Sequence, residues 1–224
     1  MRKSVFLIIL SVLSVICLMA QLSAQEKPRF WDDVQVIKQY DKLYVPPAHP
    51  ILFIGSSSIR KWEDLERTFA DFVVMNRGIG GAVVNDIIYY TNDIVFPYQP
   101  RQIVIYVGEN DIVDDASAAD SIFVRTKQLL QIIRLKLPEV PIVYISIKPS
   151  PSREKYIGKA IAANTLISNY ILTEKNIRFL DIFHPMLNAE GKPMPELFQK
   201  DMLHMNLKGY AIWRKAIKPL LLRK

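Results

Sequence analysis

Ser56, Ser57 and Ser58 stand in a row behind an apolar stretch, and the chain holds only three histidines, His49, His184 and His204. Two of these follow an aspartate at the same interval, in Asp181-Ile182-Phe183-His184 and Asp201-Met202-Leu203-His204. A serine hydroxyl becomes an effective nucleophile when a base takes its proton, an acid orients that base, and donors receive the charge that develops on the attacked carbonyl oxygen. Histidine suits the base because its ordinary pKa lies near neutrality. Candidate donors are the backbone N–H at the serine, a backbone N–H in the turn Gly78-Ile79-Gly80-Gly81, and the Asn110 amide in Gly108-Glu109-Asn110-Asp111. Together these residue types would perform acyl transfer.

Each feature also has a plain structural use. Serines behind a strand make good helix N-caps. Glycines punctuate turns, and this cluster lacks the Gly-Lys-Ser/Thr ending and the Rossmann spacing of phosphate-binding loops. Asn110-Asp111 suits a turn and cap. Both Asp-x-x-His pairs are open to the acid–base role. Asp181 and His184 lie at the end of an expected strand, where residues three apart face opposite sides, and Pro185 restricts His184 to extended geometry. The spacing therefore favours Asp201 and His204, which one tight turn would bring together.

The elements that must position these groups are legible as an alternation. Five Ile- and Val-rich runs, at 51–54, 72–75, 102–107, 142–147 and 177–182, read as buried strands. Helical segments are expected at 58–69, 84–96, 116–137, 152–174 and 206–222. Continuously apolar strands alternating with helices predict an α/β fold with a parallel sheet covered on both faces. In such sheets ligands bind beyond the carboxyl ends of the strands, and there the serines, the glycine turn, Asn110 and His184 all fall.

The chain has 224 residues, half of them apolar and 23% charged, which is ordinary for one globular domain. Its formal charge of +7 comes from scattered basic residues, several of them gathered in the last helix. No basic–aromatic pattern points to nucleic acid as a partner. Arg2 and Lys3, the uncharged apolar run to Ala20, and Leu22-Ser23-Ala24 read as a cleavable signal peptide over residues 1–24, so a periplasmic or secreted location is expected. Without that segment no stable membrane insertion is expected. Residues 25–49 are expected to form a helix and strap, and residues 50–224 the main domain. Cys17, the one cysteine, lies inside the signal, which removes disulfides and thiol catalysis from consideration.

Four blocks resemble the SGNH hydrolases, the GDSL lipase/acylhydrolase family, in the family's order: "FIGSSSI", "NRGIGG", "VGENDI" and "DMLHMNLKGY". The resemblance spans residues 50–224. It implies a flavodoxin-like three-layer α/β/α sandwich with a five-stranded parallel sheet. It implies Ser57 as nucleophile, two residues after Gly55, with Asp201 and His204 as orienting acid and base. Ser57, Gly81 and Asn110 are implied as the oxyanion donors, while Asp181 and His184 fall outside the motif. Ser56 stands where the family usually has Asp, which is not one of its catalytic groups. The implied activity is a serine esterase without metal or organic cofactor, acting on a small-molecule or glycan ester, with short acyl groups such as acetyl on carbohydrate expected. Lysophospholipase or thioesterase activity is the alternative within the family. The changed residue at position 56 motivates another, a non-catalytic glycan-binding domain.

Overall fold

A computed structural model describes residues 27–223; the expected signal segment and Cys17 lie outside the described residues. The chain divides into two compact units, Met1–Trp31 and Asp32–Lys224. In the first, residues 28–31 close a turn through a Trp31 N–H bond to the Pro28 carbonyl at 3.1 Å. Among the described residues no helix is long and apolar enough to cross a membrane.

Five strands, β1 (Ile51–Gly55), β2 (Val74–Gly78), β3 (Gln102–Tyr106), β4 (Ile142–Ile145) and β5 (Ile177–Leu180), form one parallel sheet in the order β2-β1-β3-β4-β5. Among the described residues the α-helices are α1 (Trp31–Leu43), α2 (Ser57–Arg60), α3 (Leu65–Thr68), α4 (Val84–Ile94), α5 (Ala119–Lys136), α6 (Ile157–Ile171) and α7 (Leu207–Ile217). This is the expected α/β fold with a five-stranded parallel sheet and flanking helices. Side-chain alternation along the strands sorts the core. Ile51 and Phe53 of β1, Val104 and Tyr106 of β3, and Val143 and Ile145 of β4 pack with Trp62, Leu65, Trp213 and Ile217. Their neighbours Leu52, Ile54, Ile103, Ile105 and Tyr144 are equally buried on the opposite face, where α5 lies between α4 and α6.

Two elements depart from the sequence pattern. The segment expected as one helix over 58–69 is broken into α2 and α3. Between them Trp62 turns into the core, its ring 6.1 Å from Trp213, 5.5 Å from Phe69 and 4.9 Å from Tyr210. Burying an indole outweighs a few intrahelical bonds, since deleting such a side chain costs about 3–5 kcal/mol. β2 begins at Val74 rather than at 72, because Phe72 closes a turn onto the Phe69 carbonyl at 2.8 Å before the chain extends. Proline-bearing 3-10 turns finish α4 and α7 and precede α6, trimming the helices expected there.

From β1 the chain moves outward to β2, then crosses back past β1 to β3. The order reverses between β1 and β3, and such a reversal opens a crevice at the carboxyl edge of the sheet. A further feature braces β2. Asp41, near the end of α1, accepts bonds from the Arg77 guanidinium and, at 2.5 Å, from the Tyr98 hydroxyl, which itself accepts from Arg77 Nε at 2.7 Å. Burial and the bond to Asp41 push the Tyr98 phenol up to about 12.

Candidate active site

β1 ends in Gly55 at φ 139°, where a Cβ would sit 1.8 Å from the Tyr106 carbonyl oxygen. Only glycine lets the ends of β1 and β3 approach so closely. Ser56 follows in extended geometry as N-cap of α2, yet its hydroxyl makes no cap bond. The serines are therefore not explained by capping. Ser56 and Ser58 are buried with hydroxyls that find no partner among protein atoms, while the half-buried Ser57 opens α2. The N–H of a first helical residue has no intrahelical acceptor, so it points outward as a donor.

The Ser57 hydroxyl meets His204 Nε2 at 3.1 Å, and His204 Nδ1 meets Asp201 Oδ2 at 2.6 Å. An ionised carboxylate only accepts, so Nδ1 carries the proton and Nε2 of the neutral ring accepts from the serine. The other Asp201 oxygen receives the backbone N–H groups of Leu203 at 3.0 Å and His204 at 2.9 Å. Burial works to raise the Asp201 carboxyl, but the imidazole and these two N–H bonds outweigh it and hold the group well below the usual carboxylate range. The turn itself is fixed from outside. Gln199 N–H bonds to the His204 carbonyl at 2.7 Å, and Gln199 Nε2 to the Met205 carbonyl at 3.0 Å. Asn206 then caps α7, accepting from Lys208 N–H at 2.9 Å.

Gly81 takes φ 82° in the turn after β2. Asn110 lies beyond β3, and its Nδ2 donates to the Ala82 carbonyl at 3.0 Å. A carboxamide has two N–H donors, so one remains for another acceptor. Arg153 sets the flip of this amide by donating to Asn110 Oδ1 at 2.9 Å, with its other nitrogen on the Glu109 carbonyl. The structure thus brings Ser57, His204 and Asp201 into one chain of hydrogen bonds and seats Asn110 against the residue that follows Gly81. Asp111 does what a cap would do: it is buried and accepts the Val84 N–H at the start of α4 at 3.1 Å, with Arg125 Nη1 at 3.2 Å. Burial pushes its carboxyl up against the pull of those partners.

Asp181 and His184 also meet, contrary to expectation, with Nδ1 to Oδ2 at 2.6 Å. β5 stops at Leu180, so Asp181 begins a turn rather than continuing a strand, and Phe183 N–H bonds its carboxylate at 2.8 Å. His184 stays outside the serine cluster.

Sequence reasoning passed over Arg153 and left Glu109 without a role, and it missed Lys148. Glu109 and Lys148 are buried and paired, and Tyr106 donates to Glu109 Oε2 at 2.9 Å. Burial, with Glu109 alongside, pushes the Tyr106 phenol well above its ordinary value. The one available signal was a lone cation and a lone carboxylate, each just past an apolar strand.

The GDSL-like lipase/acylhydrolase family model matches residues 54–212. No curated protein matches the sequence. Among solved structures, a GDSL-like lipase from Bacteroides thetaiotaomicron VPI-5482 is 21% identical with a TM-score of 0.73, over 84% of this chain and 96% of its own. A lipase/acylhydrolase from Enterococcus faecalis is 19% identical with a TM-score of 0.60, over 78% and 97%. The acetylxylan esterase Axe2 from Geobacillus stearothermophilus is 14% identical with a TM-score of 0.61, over 77% and 94%. At these identities the likeness is one of fold.

Proposed function

This chain belongs to the GDSL-like lipase/acylhydrolase family, an esterase family, and from that premise we propose that it is a serine esterase working through Ser57, His204 and Asp201. The observation that carries this reading is the run of hydrogen bonds from Ser57 Oγ to His204 Nε2 and from Nδ1 to Asp201, at 3.1 and 2.6 Å, joining groups 147 residues apart in sequence. Ser57 Oγ attacks the ester carbonyl while Nε2 takes its proton. Asp201, kept ionised by its bonds, fixes the ring tautomer and stabilises the imidazolium. The carbonyl oxygen becomes an oxyanion, received by the N–H groups of Ser57 and Gly81 and by the second Asn110 N–H. His204 then protonates the departing alcohol. Water repeats the sequence on the acyl-enzyme, His204 taking its proton and returning one to Ser57.

The acyl group we propose is short, acetyl on a carbohydrate. The support is indirect: the fold is shared with an acetylxylan esterase, and the N-terminal residues read as an export signal to where glycans are met. Export is likewise a proposal, checked by N-terminal sequencing of the protein from periplasm or medium; a cytosolic protein that keeps residues 1–24 would overturn it.

The test of the whole reading is hydrolysis of p-nitrophenyl acetate, butyrate and octanoate, and of acetylated xylo-oligosaccharides, by wild type and Ser57→Ala. Turnover that is highest on acetyl esters and vanishes in the variant is expected. Wild-type rates from Ser57→Ala would sink the nucleophile, and a preference for octanoate would sink the short-acyl assignment.

A further inference from the structure

Lys148 follows the end of β4, and its side chain is completely shielded from solvent. Its ammonium meets two groups from distant parts of the chain. It donates to the Glu109 carboxylate and, at 2.8 Å, to the carbonyl of Leu203. Leu203 lies inside the turn between Asp201 and His204, and Glu109 immediately precedes Asn110. The second Glu109 oxygen accepts the Tyr106 hydroxyl, Ser150 Oγ lies 3.3 Å from the first, and the Phe198 ring lies 5.3 Å from the ammonium. Desolvating two charges costs several kcal/mol per ion, and well-packed apolar side chains often replace such a pair without loss of stability. Stability alone therefore does not explain the pair. An apolar pair would fill the space but would leave the Leu203 carbonyl without its donor.

We propose that Lys148 is a positioning residue: its ammonium, neutralised by Glu109, ties the turn that carries His204 to the strand end that carries Asn110. Base and oxyanion donor then keep one mutual spacing while the substrate changes from planar to tetrahedral. Lys148 touches no reacting atom. Arg153 holds the same strand end from the other side, through the Glu109 carbonyl and Asn110 Oδ1. The proposal rests on the assignment of Ser57, His204 and Asn110 as the reacting groups.

The test compares Glu109→Gln, which keeps the ammonium on Leu203, with Glu109→Gln/Lys148→Met, which removes the tie and leaves no charge buried alone. Measured are the melting temperature, kcat and KM on p-nitrophenyl acetate, and the low-field proton resonance of the His204 Nδ1–H bond, assigned by its loss in His204→Gln. The double variant is expected to melt no lower than Glu109→Gln, which leaves the Lys148 ammonium buried without its counter-ion, to lose up to about 10²-fold in kcat with little change in KM, and to broaden the resonance. Glu109→Gln should keep at least about tenfold more of kcat than the double variant, within that same range. Equal kcat and an unmoved resonance in the two variants would overturn the proposal. Should the double variant fail to fold, Glu109→Gln alone decides: a sharp His204 resonance supports the tie, and its loss overturns it. Ser57→Ala separates the two readings. If that variant turns over normally the esterase assignment fails; if it is dead and the double variant is fully active, only the role of Lys148 fails.

Discussion

The molecule contains the same acid–imidazole turn twice. In both, an aspartate three residues before a histidine gives one carboxylate oxygen to Nδ1 at 2.6 Å and the other to backbone N–H groups of the turn. They differ in what the free ring edge meets. His204 is 17% exposed at its side chain with Nε2 on Ser57; His184 is 77% exposed, with its ring edge-on to Phe183. The difference follows from topology. The first turn leads into α7, beside the crevice where the strand order reverses between β1 and β3. The second hangs off β5, at the edge of the sheet away from that crevice. An Asp-x-x-His turn is thus a local motif that two stretches of chain form. It becomes a candidate relay only where the fold delivers a third group.

The largest test of that contrast is paired removal of the rings. His204→Ala should lose about 10⁶-fold in kcat, while His184→Ala should keep wild-type turnover and change stability by less than about 0.5 kcal/mol. Comparable losses from both would break the comparison. Next come the acids. Asp201→Asn should cost roughly 10⁴-fold in kcat by leaving the ring in the wrong tautomer, and Asp181→Asn should leave kcat at the wild-type value in the same assay.

Asn110 sharpens the contrast further, since its amide lies beside the serine cluster and not beside the Asp181–His184 turn. Asn110→Ala should fold normally by circular dichroism and lose ~10²–10³-fold in kcat; an unchanged kcat would remove the amide from the oxyanion site. The smallest effect concerns acid stability. The Asp201 carboxyl is held below its ordinary value in the folded state, so its contribution is complete above the unfolded value of about 3.9 and drains away as pH falls further. Its side chain is 44% exposed, and solvent screening keeps that contribution to within about 1 kcal/mol. The melting gap between wild type and Asp201→Asn should close from pH 6 towards pH 2, and a gap independent of pH would contradict this linkage.

Much of this architecture was readable before any coordinates. Apolar runs bounded by Gly and Pro marked the five strands; Ser57, Gly81 and Asn110 sat at strand ends, and Asp201 and His204 before the last helix, all in recognisable blocks. What escaped was of two kinds. Trp62 broke a helix because its packing against four other aromatic rings outweighed local periodicity, and a window of a dozen residues cannot weigh partners such as Trp213 and Tyr210. Glu109, Lys148 and Arg153 escaped because their meaning is pairwise. Glu109 and Lys148 stand 39 residues apart, and neither shows alone why a charge should be buried. The meeting of Asp181 with His184 was misjudged for a smaller reason: the strand ends two residues before the apolar run does.

The clasp of Asp41 on Arg77 and Tyr98 sets a limit on how much of the chain is expendable. A protease that clips the backbone before Asp32 spares the clasp. One that removes residues up to and including Asp41 strips a largely buried guanidinium of its counter-ion, one residue before the glycine turn begins. The helix α1 therefore acts as a splint on the end of β2, and chain trimming that looks remote from Ser57 would be felt first at Arg77.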